Sequence, residues 1–90
     1  GSVEIDPGAK RALERGSSLL PAGLRKIKGH FLAGDVIEIR DESGRSVGRG
    51  IANYSYREIL PALGLRGEEI RQRALFTRSE EIIHRNNMIV

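Results

Sequence analysis

The feature that most constrains the fold is an alternating segment at positions 36–40 that runs straight into a turn. Ile37 and Ile39 share one face of this segment, and Glu38 and Arg40 share the other, which is the period of a half-buried strand. Residues 41–44 begin with aspartate and end with glycine, as a tight turn requires. A return strand over 46–54 completes an antiparallel hairpin, so the sequence predicts a fold built around a β-sheet.

The return strand has an unusually bare face. Gly48, Gly50 and Ala52 alternate along it, so we expect another backbone or a bulky side chain to pack closely there. Leu24–Lys28 is predicted as a further strand with a basic outer side, and Met88–Val90 as the last one. Together these segments predict about six short strands around one shared core.

A helix precedes these strands, with both of its ends recognisable in the sequence. Asp6 is a good N-cap and Pro7 suits the first helical position, where no amide donor is needed. Apolar residues recur at helical spacing up to Leu13, and Gly16 suits the left-handed position after the last turn. We expect this helix to pack against the outside of the sheet.

Two further helical segments are expected after the hairpin. Ser55 and Glu58 form a capping box at the start of the first, and Pro61 should keep that helix short because proline removes an interior hydrogen bond. Gly67–Leu75 is the second, with acidic residues first and arginines last, which suits the helix dipole. The fold class predicted from these elements is α+β, mainly β.

Length and composition describe one small domain. Of the 90 residues, Gly1 and Ser2 are interpreted as a remnant of tag removal, which leaves 3–90 as a single domain. No apolar run approaches the ~20 residues of a membrane helix. The absence of cysteine excludes disulfides and cysteine-based zinc sites and is compatible with a reducing cytoplasm.

The net charge of +3 is compatible with two interpretations of the surface. Arginine makes up all but three of the 15 cations, and arginine is well suited to phosphate recognition, so nucleic acid is a permitted partner. The 12 acidic residues are interspersed with the cations, so a solvated surface of mixed sign explains the composition equally well.

No catalytic, cofactor-binding or metal-binding constellation is predicted. His30 and His84 lie far apart and in no metal-ligand spacing. The glycine-rich stretch 44–50 falls in a hairpin rather than at a strand-to-helix turn, so it does not predict a nucleotide loop. Glu80 and Glu81 are neighbours whose side chains would point to opposite faces of a strand. The segment itself is therefore not expected to be an enzyme.

The order of several sequence blocks resembles the PUA domain at the C-terminus of glutamate 5-kinases. The resemblance runs from Ile5 to Val90, and its specificity comes from the order and spacing of the blocks rather than from any single one. The blocks are Ile5–Leu13, Gly16–Gly23, Gly34–Val36, Gly44 with Arg49–Ser55, and Glu81–Asn87. Two positions depart from the family pattern: Asn86 replaces an aspartate in a turn, and Pro61 interrupts a helix.

The resemblance implies a fold and a parent enzyme. The fold is a PUA-like pseudobarrel of mixed strands with two or three short helices. The parent is a cytoplasmic enzyme whose amino-acid kinase domain would precede Val3. With ATP and magnesium, that domain would phosphorylate the γ-carboxylate of L-glutamate, the first step of proline biosynthesis. The PUA domain itself holds neither cofactor.

The resemblance also implies a candidate RNA-binding surface. In other PUA domains, the helix that corresponds to the one beginning at Pro7 contacts RNA, together with the glycine-containing loop after it. Small residues in the loop would let backbone amides approach phosphates. Aromatic residues are scarce, so any contact should depend on backbone and shape. The candidate residues are Lys10, Arg11, Arg15, Gly16, Ser17, Leu19, Pro21, Gly23, Arg25, Lys26 and Lys28.

Two alternatives remain open. The domain could act without RNA, as a regulatory or oligomerisation module that docks on the kinase domain or on another subunit. Candidate docking residues lie in the helical segments, where core packing is the competing interpretation: Ile59, Leu60, Leu63, Leu65 and Phe76. The parent could also be an RNA-modifying enzyme, since PUA domains occur in pseudouridine synthases and archaeosine transglycosylases.

Overall fold

The computed structural model describes residues 1–90. Five strands form one mixed sheet, three short α-helices and three 3₁₀ turns lie around it, and the predicted α+β, mainly β fold is confirmed. The strands are β1 (Ser2–Ile5), β2 (Leu24–Lys28), β3 (Val36–Arg40), β4 (Ser46–Ile51) and β5 (Met88–Ile89). They lie in the order β2-β1-β3-β4-β5, and the sheet is open rather than a closed barrel.

Strand β1 is the element that the sequence-based prediction lacked. It begins at Ser2, one of the two residues that the sequence analysis does not include in the domain, and it lies between β2 and β3. It pairs antiparallel with β2 and parallel with β3, the one parallel pairing in the sheet. Val3 and Ile5 are buried in the core, so the short Ser-Val-Glu-Ile alternation marks a half-buried strand.

The hairpin of β3 and β4 is confirmed, with a shorter return strand than predicted. Strand β4 ends at Ile51 instead of Tyr54. The reason is a change of partner, because the Asn53 amide donates to the Ile82 carbonyl at 2.8 Å and so joins the closing segment. Gly48 and Gly50 face that segment: a Cβ on Gly50 would lie 2.8 Å from the Asn87 carbonyl oxygen. The close approach of another backbone is confirmed.

A β-bulge in β2 explains its pattern of buried and exposed residues. The pairing with β1 shifts between Glu4 and Ile5, which leaves Arg25 as the extra residue in β2. Leu24 and Ile27 therefore both face the core although they are three residues apart. The three cations of the strand are left exposed.

Helix α1 (Pro7–Glu14) begins and ends as predicted. The Asp6 carboxylate accepts a hydrogen bond from the Ala9 amide at 2.7 Å. At the other end the Gly16 amide donates to Leu13 and the Ser17 amide donates to Ala12. With Gly16 at φ +88°, these bonds form a Schellman motif.

Two further short helices follow the hairpin. Helix α2 (Tyr56–Ile59) carries the predicted capping box and passes into a 3₁₀ turn at Leu60–Ala62. Helix α3 (Gly67–Gln72) stops three residues before its predicted end. It stops because Ala74 adopts a left-handed conformation, with φ +51°.

The closing segment completes the core. Ile82 and Ile83 are buried, and the Leu19 amide donates to the Ile83 carbonyl at 3.0 Å. A 3₁₀ turn at Arg85–Asn87 then leads into β5, which pairs with β4. None of the helices has the length and apolar character needed to cross a bilayer.

Candidate functional site

The candidate cations of α1 differ in their partners. Arg11 and Arg15 are exposed and form no ion pair. The Lys10 ammonium, in contrast, lies 3.2 Å from an Asp41 carboxylate oxygen in the β3–β4 turn. Lys10 therefore links α1 to the hairpin, and the two arginines remain available to an external anion.

Asp41 is held ionised by its surroundings. Its carboxylate accepts hydrogen bonds from the Ser43 hydroxyl at 2.7 Å, from the Ser43 and Arg45 amides, and from Lys10. These donors, with the Ser43 hydroxyl the largest contributor, hold the pKa of Asp41 well below its usual range. A carboxylate with this many donors organises the turn and holds the Lys10 side chain in place.

Several backbone amides of the loop after α1 form hydrogen bonds within the chain. The amides of Gly16, Ser17, Leu19 and Gly23 all donate to carbonyl groups within the chain. The side chains of Leu19 and Pro21 are buried. These four amides are thus not free to bind phosphate.

Gly23 has a packing role at the end of the same loop. A Cβ at this position would lie 2.6 Å from the Cβ of Ala9, so α1 and the Pro21–Gly23 turn approach too closely for a larger residue. The Asp6 amide also donates to the Gly23 carbonyl at 3.0 Å. Gly23 therefore fixes the position of the helix relative to the following strand.

The second group of candidate cations lies on β2, at one edge of the sheet. Arg25, Lys26 and Lys28 are all exposed and none forms an ion pair. Lys26 is paired in register with Glu4, whereas Lys28 is paired with the uncharged Ser2. Charged side chains on an edge strand also discourage edge-to-edge association, so the arrangement has a structural explanation as well.

An aromatic cluster that the sequence-based prediction missed follows β2. The rings of His30 and Tyr56 stack with centroids 4.5 Å apart, and Phe31 meets Tyr56 edge-on. The Arg57 guanidinium donates to the Tyr56 hydroxyl at 3.0 Å. That hydroxyl raises the pKa of Arg57, so the arginine stays charged. His30 and Tyr56 are 26 positions apart in sequence, and no local pattern indicates their contact.

A shallow cavity separates the Pro21–Gly23 turn from α3. Its volume is about 390 Å³, and its lining combines the apolar surfaces of Leu20, Ile70 and Phe76 with the charged groups of Arg71 and Glu80. Most of these side chains are exposed or half-buried. The two charges are of opposite sign, so the lining indicates no preference for a cation or an anion.

The titratable residues are dispersed over the surface. His30 lies in the aromatic cluster, whereas His84 accepts a hydrogen bond from the Asn86 amide and lies 3.9 Å from a Glu81 carboxylate oxygen. No three histidine, cysteine, aspartate or glutamate side chains lie close enough together to hold a metal ion. The one serine hydroxyl that donates to a carboxylate, that of Ser43 to Asp41, belongs to the β3–β4 turn, and the carboxylate is held there by three further donors.

The fold and this surface define a class of protein: a small mixed-sheet domain with exposed cations on α1 and on one sheet edge. The family model for the PUA domain matches residues 1–74. The chain belongs to the PUA domain family.

Solved structures have the same fold. A PUA domain from Aeropyrum pernix superimposes with a TM-score of 0.68 at 24% identity, over 93% of this chain and 41% of that one. A conserved PUA domain protein from Thermoplasma acidophilum gives a TM-score of 0.63 at 25% identity, over 70% of this chain and 42% of that one. These likenesses support the fold of the chain.

Relatives of known name are glutamate 5-kinases. The chain is 43% identical to the enzyme of Aquifex aeolicus over 90 residues and 46% identical to that of Dictyoglomus thermophilum over 91. It is 42% identical to the enzyme of Thermus thermophilus over 89 residues. The matches cover 98–100% of this chain but only 24–25% of each relative. The chain thus spans about a quarter of the length of the relatives it matches.

Proposed function

We propose that this chain is the non-catalytic PUA domain of a cytoplasmic glutamate 5-kinase. In the longer protein, an amino-acid kinase domain preceding Val3 uses ATP and magnesium to phosphorylate the γ-carboxylate of L-glutamate, which begins proline biosynthesis. Both cofactors bind to that domain. The PUA domain acts as an accessory module attached to it.

The observation that carries this proposal is the pattern of coverage. Identity of 42–46% extends over 98–100% of the chain, yet it matches only a quarter of each glutamate 5-kinase. A domain that forms about a quarter of several larger enzymes is expected to assist catalysis carried out elsewhere in those proteins.

A kinetic comparison tests the parentage. The longer protein, the same protein without residues 3–90, and the 90-residue chain are assayed for glutamate-dependent conversion of ATP to ADP. The longer protein should be active and the 90-residue chain inactive. Glutamate-dependent turnover by the 90-residue chain, or none by a folded longer protein, would overturn the proposal.

The same comparison weighs the regulatory alternative. If the domain serves assembly or regulation, its removal should change the oligomeric state, measured by size-exclusion chromatography with light scattering, or the kinetic constants for glutamate. Unchanged assembly and unchanged kinetics would count against a regulatory role. RNA binding would then be the favoured function.

For RNA, we propose contact through exposed cations rather than through the loop backbone. Arg11 and Arg15 on α1, with Arg25, Lys26 and Lys28 on β2, have no acidic partner within ion-pair distance. Because the amides of Gly16 and Ser17 donate within the chain, phosphate contact depends on these side chains. Binding of this type is strongly weakened by salt.

A salt titration tests RNA binding. If the cations contact about 3–5 phosphates, the logarithm of the association constant should fall against the logarithm of salt concentration with a slope of roughly −2 to −4. The variant Arg11→Ala/Arg15→Ala should weaken binding and flatten the slope by about 1–2. Arg49→Ala, an exposed cation on β4, is the matched control and should leave the slope unchanged. A flat salt response of the unmodified chain would refute the proposal.

A further inference from the structure

One end of the solvent-facing side of the sheet is apolar. Val36 on β3 and Ile51 on β4 are register partners with 62% and 40% of their surface exposed. Leu32, in the turn that leads into β3, is 65% exposed. We call these three residues the apolar end. Single exposed apolar residues are ordinary, but a group of neighbours is typical of a surface that another molecule covers.

Most of the rest of the solvent-facing side is charged, apart from Ile89 on β5, the register partner of Arg49, which is 66% exposed. Lys26, Glu4, Glu38, Arg40 and Arg49 occupy outward positions along β2, β1, β3 and β4. Glu38 and Arg40 form an ion pair at 2.6 Å. The apolar end therefore borders a largely charged face and lies where the alternation of β3 would have put another polar residue. An apolar patch bordered by charges is typical of a contact site.

The apolar end lies where the polypeptide enters the domain. Strand β1 runs parallel to β3 with Ser2 beside Glu38, so a position two residues before Ser2 would lie beside Val36. The pairing is maintained up to the first residue, because the Gly1 carbonyl accepts a hydrogen bond from the Glu38 amide at 3.1 Å. At roughly 3.3 Å per residue, whatever precedes this strand starts within a few ångströms of the apolar end.

We infer that the apolar end is the surface on which the preceding domain of the same polypeptide docks. This inference rests on the proposed function, in which a kinase domain precedes Val3, and on relatives about four times as long as this chain. A domain joined at β1 is held beside Leu32, Val36 and Ile51, which raises its effective concentration at that surface. Its own contact surface should be apolar, since the apolar end offers no charge.

Leu60 provides a matched control from a different face. It is 47% exposed, a fraction similar to the 40% of Ile51, but it lies in the 3₁₀ turn after α2. It is also the one exposed residue among those that the sequence suggested for docking, because Ile59 is buried and Leu63, Leu65 and Phe76 are half-buried. Comparison of the two faces thus distinguishes the apolar end from the helical segment.

Cysteine labelling measures which face is covered. The 90-residue chain has no cysteine, so Val36→Cys, Ile51→Cys and Leu60→Cys each introduce one thiol on an exposed side chain. Each variant is prepared as the 90-residue chain and in the longer protein, and the rate of maleimide labelling at that position is followed by mass spectrometry of the labelled peptide. Thermal unfolding of each variant verifies that it is folded.

The inference predicts slow labelling of the apolar end in the longer protein. The rates at Val36→Cys and Ile51→Cys should fall about tenfold or more relative to the 90-residue chain, which corresponds to about 1.4 kcal/mol of docking, and the rate at Leu60→Cys should not change. Equal rates in both proteins at all three positions would overturn the inference, as would slowing at Leu60→Cys alone.

The kinase assay keeps the two proposals separate. A longer protein that phosphorylates glutamate but labels at unchanged rates overturns the docking surface and supports the proposed function. A longer protein without that activity, in which Val36→Cys and Ile51→Cys are nevertheless protected, supports the docking surface and overturns the function.

Discussion

Helices α1 and α3 end in the same hydrogen-bonded motif but with different residues at its left-handed position. In α1 the position is Gly16 at φ +88°, and in α3 it is Ala74 at φ +51°. After α3, the Ala74 amide donates to Arg71 and the Leu75 amide to Ile70, which repeats the Schellman pattern of α1. Glycine adopts this conformation freely, whereas alanine is strained in it.

The two helices differ at their beginnings as well. Asp6 caps α1 with its side chain, whereas Arg66 gives α3 no such cap, and only the Glu69 carboxylate returns to the Arg66 amide at 3.2 Å. Local sequence therefore specifies α1 at both ends, and α3 depends more on the contacts around it. Tertiary contacts commonly decide the structure of such weakly specified segments.

Core truncation should show the largest difference between the two helices. Leu13 of α1 is buried within the main hydrophobic cluster, whereas Ile70 of α3 is buried outside it and borders the cavity beside the Pro21–Gly23 turn. Leu13→Ala should cost about 3–4 kcal/mol of unfolding free energy and Ile70→Ala about 2 kcal/mol or less, because the second site can relax and admit water. Urea unfolding measures both, and equal losses would remove the contrast.

Tyr54 tests how the segment that follows α3 is attached to the core. The Tyr54 hydroxyl donates to the Ser79 carbonyl and accepts from the Ser79 amide, both at 2.7 Å. Tyr54→Phe leaves both backbone groups without that partner and should cost about 1–3 kcal/mol in urea unfolding. Tyr56→Phe, which removes only a contact with the exposed Arg57 side chain, should stay within about 0.5 kcal/mol. A neutral Tyr54→Phe would contradict this anchoring role.

Exchanging the residues at the left-handed positions should have opposite effects on the two helices. Gly16→Ala should destabilise by about 1 kcal/mol through backbone strain alone, since no atom lies within 4 Å of the added Cβ. Ala74→Gly should stabilise by about 0.5 kcal/mol, because relief of strain exceeds the added flexibility of the unfolded chain. Differential scanning calorimetry of the two variants checks the signs, and effects of the same sign would break the comparison.

Acid should act on two carboxylates, Asp41, which binds Lys10 of α1, and Glu58 of α2. The pKa of Asp41, which binds Lys10 of α1, is depressed chiefly by the Ser43 hydroxyl, and the pKa of Glu58 is depressed chiefly by the Ser55 amide and then by Arg78. A depressed pKa contributes stability above the ordinary carboxyl range, and that stability is lost as pH falls towards the folded-state value. Asp41→Asn and Glu58→Gln should each flatten the loss of stability below about pH 4, as measured by urea unfolding across pH. If the unfolding free energies of both variants fell with pH in parallel with that of the unmodified chain, neither carboxylate would contribute to the acid dependence of stability.

The same contrast explains how much of the fold the sequence predicts. Helix α1, the β3–β4 hairpin and the capping box of α2 depend on neighbours in sequence, and they appear where predicted. Strand β1 was missed because its place is decided by parallel pairing with β3, more than 30 positions away. The early end of β4 depends likewise on the distant Ile82, and periodicity does not report such contacts.

For the site, the sequence provides the residue types but not their surroundings. The cations of α1 and β2 are evident from the sequence, whereas the pairing of Lys10 with Asp41 and the internal bonding of the loop amides emerge only in three dimensions. The apolar end is indicated in the sequence by Val36, an apolar residue on the otherwise polar side of an alternating strand. Its partner Ile51 and the entry of the chain beside it depend on strand register.

The most direct test of the proposed parentage is the identity of the protein region encoded immediately before Val3. Because we propose that the chain is the accessory domain of a glutamate 5-kinase, determination of that coding sequence should reveal an amino-acid kinase domain joined to β1. A pseudouridine synthase or another RNA-modifying domain in its place would contradict the proposed parentage.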